Sequence, residues 1–195
     1  MNFKNYQEFN DAKIKCNLCE IGKIYNKIVL SDGNSLNPKI LIIGECPGAS
    51  ELVEGKPFVG KAGKLLRPTL EEAGITLDIS LITNLMPCRP LDNKFPTDNN
   101  IINNCKNMWL KEEIRLTKPD LILLIGSKPL KFLLKLDKIT QERGKIHTKI
   151  CFGKKTKIMA TYHPSFVLRK MYMQDGKQIL DDFKNDIKKA KELIN

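Results

Sequence analysis

Two short apolar runs constrain this 195-residue chain more than anything else in it: "PKILIIGE" at Pro38–Glu45 and "PDLILLIG" at Pro119–Gly126. Each is nearly continuous in Ile and Leu, closes on glycine and passes directly into a segment of helical periodicity. A strand apolar on both faces is buried on both faces, the situation of a parallel strand covered by helices. "AGKLLRPTLEEAGI" reads as a helix stopped at Gly74, "ISLITNLMPC" as a further strand and "SKPLKFLL" as a further helix. "YQEFNDAKIK" reads as a short helix, and "TDNNIINNCKNMWLKEEIRLT" as one helix opened by Thr97 or Asp98. "TKICFGKKTKIMATYHP" reads as a hairpin or paired strands, with a last helix over about Gln178–Ile194. This alternation predicts a three-layer α/β/α sandwich around a central, mostly parallel four-stranded sheet, in a single domain over 1–195. Ligands of such sheets sit at the carboxyl ends of the strands. Glu45, Asn84, Gly126 and His163 each follow a predicted strand and are expected to converge there.

The passage after the first strand, "GECPGASELVEGKPFVGKAGKLL", holds five glycines. Turns that rich in glycine let main-chain N–H groups approach a ligand closely, commonly a phosphate or a nucleobase. Phe58 stands between Gly55, Pro57 and Gly60, which points to a rigid, exposed stacking face. Asn84 offers both a donor and an acceptor. His163, in "YHPS", is one of two histidines.

Six cysteines in a chain without an apolar N-terminal signal core argue for metal or catalysis rather than disulfides, in an intracellular, cytoplasmic protein. Cys16 and Cys19 form a CxxC pair, while Cys88 and Cys105 stand alone around a Pro-rich loop. That pattern suits a cubane iron–sulfur cluster at least as well as zinc. The net charge of +11 favours a polyanionic partner over a membrane, since no apolar run is long enough to span one.

Three motifs in order resemble those of the family 4 uracil-DNA glycosylases: "GECPGASELVEGKPFVGKAGKLL", "TNLMPCRPLDNKFPTDNNIINNC" and "HPSFVLR". The likeness runs from about Cys16 to Arg169. It departs at Cys46, where the family mostly has Ala or Gly, at Leu91 for a second Pro, and at Lys94 for Arg. The resemblance implies a monomeric, monofunctional glycosylase acting on uracil in single- or double-stranded DNA. It implies that Gly44, Glu45, Cys46, Glu51, Phe58, Asn84 and His163 bind the base, with Glu45 positioning water and His163 stabilising the leaving uracil. It further implies a structural [4Fe–4S] cluster on Cys16, Cys19, Cys88 and Cys105. Phe166, Val167 and Leu168 would form a wedge into the base stack, with Arg169 on phosphate. A catalytically weak, replication-associated DNA-binding protein and an iron–sulfur redox protein are the competing readings.

Overall fold

In a computed structural model that describes residues 2–25 and 27–194, the two apolar runs become the centre of one sheet. Its strands are β1 (Asp32–Gly33), β2 (Ile40–Gly44), β3 (Ser80–Asn84), β4 (Leu121–Ile125), β5 (Ile146–Cys151) and β6 (Lys154–Thr161), in the order β1-β3-β2-β4-β6-β5. The inner four are parallel and the outer two antiparallel. The sheet is therefore six-stranded where four strands were expected. β1 is two residues long, too short to carry a period, and β5 is largely exposed, so neither has the apolar signature of a buried strand.

Ten α-helices cover the two faces among the described residues: α1 (Tyr6–Lys13), α2 (Glu20–Tyr25), α3 (Ala49–Glu54), α4 (Lys61–Glu72), α5 (Asn99–Cys105), α6 (Lys111–Thr117), α7 (Ser127–Leu134), α8 (Ile139–Glu142), α9 (Pro164–Lys170) and α10 (Gly176–Glu192). Alternate strand residues feed opposite layers. Ile40, Ile42, Leu121 and Leu123 pack against Leu66 and Leu70 of α4, Val167 of α9 and Phe183 of α10. Leu41, Ile43, Ile122 and Leu124 pack against Ile102 of α5, Ile114 of α6 and Leu130 of α7. This is the three-layer arrangement that the alternation predicts. No helix among the described residues is long and apolar enough to cross a membrane.

The helix expected over the "TDNNIINNCKNMWLKEEIRLT" segment runs without a break from Asn99 to Thr117, with a π turn inside it. Asp98 caps α5 by accepting from the Asn100 N–H, and the π turn at Lys106–Leu110 joins α5 to α6. Beneath it lies a buried polar network. The Glu113 carboxylate meets Lys13 Nζ at 3.3 Å and accepts from the hydroxyls of Tyr6, Ser31 and Thr83. Lys13 and Glu113 are 2% and 0% exposed, so this pair ties α1 to β3 and α6 without help from solvent.

Candidate active site

The carboxyl ends of β2, β3, β4 and β6 border a cleft of about 510 Å³, lined by Glu45, Cys46, Glu51, Phe58, Asn84 and His163 among others. Parallel pairing places Gly44 opposite Asn84, which puts the Gly-rich turn and the amide on one rim. Gly44 has to be glycine. A Cβ there would come within 2.5 Å of Phe58 Cζ and closer still to the Asn84 amide oxygen. The ring of Phe58 thus lies directly over the strand end. Phe58 is 5% exposed and belongs to the core, not to an exposed loop tip as expected; only its cleft side remains open. Its φ of +53° is costly for a bulky residue. Arg67, which the sequence reading missed, holds this conformation by donating to the carbonyls of Pro57 (2.7 Å) and Phe58 (2.9 Å) while pairing with Asp32.

Glu51 occupies the first turn of α3. Its carboxylate accepts from the backbone N–H groups of Gly48 (3.0 Å), Val59 (3.0 Å) and Gly60 (2.9 Å), bracing both ends of the Gly-rich passage. Cys46 beside it is a neutral thiol, pushed up to about 12 by burial and by the carboxylates of Glu45 and Glu51.

His163 caps α9. Its Nδ1 accepts the Ser165 backbone N–H at 3.2 Å and lies 2.8 Å from the Ser165 hydroxyl. An N–H can only donate, so Nδ1 is the bare nitrogen and the proton resides on Nε2. Enclosure of the ring lowers its pKa from 6.5 to about 4, with Arg169 adding to the effect and Glu51 opposing it. The imidazole is consequently a neutral Nε2–H donor, with its ring 6.0 Å from that of Phe58. Burial raises the Glu45 pKa, while the Lys128 charge and backbone N–H pull it back. Gly126, at φ +99°, sits against both: a Cβ there would meet Glu45 Oε1 at 2.9 Å and His163 Cβ at 3.0 Å.

The segment after His163 departs from expectation in one respect. Val167 is fully buried in the core and offers no wedge, because successive residues of α9 point to different sides of the helix. Phe166 packs on Tyr162 at 5.1 Å between ring centroids. Phe166 and Leu168 are half-buried and Arg169 is exposed, so of the four only Val167 is wholly turned inward.

Cys16, Cys19, Cys88 and Cys105 are neighbours, although no group of three or more His, Cys, Asp or Glu side chains among the described residues closes on a single ion. Burial, and then the nearby cysteines, push the Cys88 and Cys105 thiols up to about 12. A Cβ on Gly22 would stand 3.4 Å from the Cys16 carbonyl and 3.8 Å from Cys88 Sγ, so the two chain segments meet there. The Trp109 indole N–H donates to Cys16 Sγ at 3.3 Å. Cys151 is half-buried on the outer strand β5, away from these four.

A sequence model of the uracil DNA glycosylase superfamily matches residues 30–188. The chain is 34% identical over 191 residues to a type-4 uracil-DNA glycosylase of Saccharolobus solfataricus, covering 95% of this chain and 84% of the relative. It is 32% identical over 185 residues to that of Archaeoglobus fulgidus (92% and 88% covered) and 33% identical over 180 residues to that of Thermotoga maritima (92% and 90%).

Proposed function

Since the chain belongs to the uracil DNA glycosylase superfamily, we propose how its cleft performs the hydrolysis of uracil from DNA. The protein is a uracil-DNA glycosylase, a repair enzyme that cleaves the N-glycosidic bond and leaves an abasic site. The observation that carries the assignment of roles is the neutral Nε2–H imidazole of His163, set across from Phe58 and beside Glu45.

A base rotated out of the DNA stack lies against the open face of Phe58. The Asn84 amide donates to uracil O4 and accepts from N3–H, a pattern that cytosine reverses. As the C1′–N1 bond breaks, its electron pair moves onto the uracil ring and its O2. His163 Nε2–H donates to that oxygen where charge develops, which stabilises the transition state more than the ground state. Glu45 orients the water that adds to C1′. A carboxylate whose pKa burial has raised is a better acceptor for the proton this water gives up. Glu51 holds the loop that presents Phe58, and Leu168 with Arg169 faces the DNA. Both single- and double-stranded DNA suit an open cleft at the carboxyl ends of the strands of a monomer.

The four cysteines fit a [4Fe–4S] cluster. Cys16, Cys19 and Cys105 all lie close enough to act on the Cys88 thiol, a cubane takes one thiolate per iron, and an indole N–H reaches the Cys16 sulfur. Such a cluster would serve as a structural clamp, tying the Cys16–Cys19 segment to the Cys88 loop and the end of α5. Uracil release from a uracil-containing oligonucleotide tests the whole reading, with cytosine- and thymine-containing strands as controls. Release of cytosine at the uracil rate would overturn the role given to Asn84, and no release of uracil would overturn the function.

A further inference from the structure

A second hollow, about 490 Å³, opens between the π turn, α6, the end of α7 and the β5–β6 hairpin. Its floor includes Ile122, near the amino end of β4, and its cross-strand partner Ile158, and its wall is Ile150–Phe152 at the hairpin turn where β6 begins. It therefore lies at the end of the sheet opposite the cleft, and the two hollows share no lining residue. Its rim is basic: Lys106, Lys111, Lys135 and Lys149 surround it, and no carboxylate lines it. Among the described residues none of these four forms an ion pair; Lys106 and Lys149 reach only an Asn103 oxygen and the Leu133 carbonyl. Burial, and the charge of Lys135, hold the Lys106 ammonium below its ordinary pKa, so the rim is short of negative charge.

Apolar side chains stand beside the lysines. Ile150 is 72% exposed and Phe152 40% exposed on the hairpin. Phe152 takes φ +50°, a conformation disfavoured for an aromatic residue, and occupies the tip of a hairpin whose other turn residue is Gly153. A phosphate backbone would need the lysines but not an apolar floor with aliphatic walls. A peptide with carboxylates and apolar anchors uses both.

We propose that this hollow docks a short acidic segment of a partner protein, with branched or aromatic side chains between its carboxylates, and that it does so while the cleft holds DNA. The apolar side chains enter between Ile150 and the floor, and the carboxylates pair with the rim lysines.

The test uses the full chain and a short fluorescein-labelled peptide in which Asp and Glu alternate with Phe and Leu, followed by fluorescence anisotropy. Saturable, salt-sensitive binding that persists in the presence of uracil-free duplex is expected. The K111E/K149E double variant should weaken it by about tenfold or more, since two ion pairs are reversed together, while uracil release stays at the parent rate. I150D should weaken it as well. Amide shift mapping on the unaltered protein should place the changes on Ile150, Phe152 and the π turn. Absence of saturable binding, shifts mapping elsewhere, or full displacement of the peptide by duplex DNA would each overturn the proposal, the last assigning the hollow to nucleic acid.

Discussion

Acidification should act on His163 through the gap between its folded and unfolded proton affinities. In the unfolded chain its imidazole takes up a proton near pH 6.5, whereas in the cleft it does so only near pH 4. Between those values the unfolded state binds the extra proton, so stability is complete above about pH 6.5 and declines as pH falls toward 4. A gap of that size integrates to about 2 kcal/mol lost between pH 7 and pH 5, and roughly 3 kcal/mol when the window is crossed entirely. The raised pKa of Glu45 works in the opposite sense, favouring the folded state at low pH, so the comparison has to be made against a single variant. H163Q keeps a polar side chain that does not titrate. Urea unfolding of both proteins across this range should show the parent losing stability relative to H163Q by that amount. Nitrogen NMR on the two histidines should report His163 as the Nε2–H form at pH 7. The chemistry gives a second check: removing a donor to developing charge costs on the order of 100- to 1000-fold, so H163A should slow single-turnover uracil release by that factor with little change in DNA affinity. Parallel pH profiles for parent and H163Q, or an Nδ1–H tautomer, would refute the electrostatic reasoning; near-parent release by H163A would refute the leaving-group role.

Three further outcomes are expected. G126A retains Glu45 and His163 but pushes on both, at a position whose φ of +99° disfavours a Cβ, so release should drop by roughly 100-fold in stopped-time kinetics while the folded state persists. Breaking the buried ion pair should cost about 3–5 kcal/mol in urea titrations. E113Q should be the worse variant, because Glu113 without Lys13 keeps three hydroxyl donors whereas Lys13 without the carboxylate keeps chiefly the Phe9 ring; K13M/E113Q should lie nearer the parent. Serine at Cys16, Cys19, Cys88 or Cys105 should abolish iron content and the broad visible absorbance of a cluster, while C46S and C151S leave both intact. A colourless, iron-free parent purified without oxygen defeats that expectation.

The parallel centre of the sheet was legible because its strands are buried on both faces, and burial writes itself as unbroken Ile and Leu. The edges were not. Asp32–Gly33 pairs with β3 through backbone alone, and β5 presents Ile146, Thr148 and Ile150 with no consistently buried side. The convergence of Glu45, Asn84 and His163 followed from topology, since each comes directly after a parallel strand. Phe58 was found by its glycines, but its burial was not, because the positive φ that turns it inward depends on Arg67, and an arginine in a helix carries no mark of the carbonyls it will reach. Ser165 could have been recognised: a hydroxyl residue two positions after a helix-capping histidine is where its N–H can meet Nδ1. Val167 was misassigned because an apolar triplet looks alike in sequence whichever residue the helix turns inward.

The π turn at Lys106–Leu110 makes the helix around it a rotational spacer. Cys105 faces the other thiols before the turn, Trp109 reaches Cys16 from within it, and Glu113 meets Lys13 after it. An α-helix advances about 100° per residue, so deleting one residue here would swing Glu113 more than a quarter of the way round the axis and leave Cys105 where it is. The N-terminal segment would then keep one of its anchors and lose the other. Substitutions along this stretch can be absorbed one contact at a time, but a change in its length cannot, and a drifting lineage is free to alter the letters here long before it can alter their number.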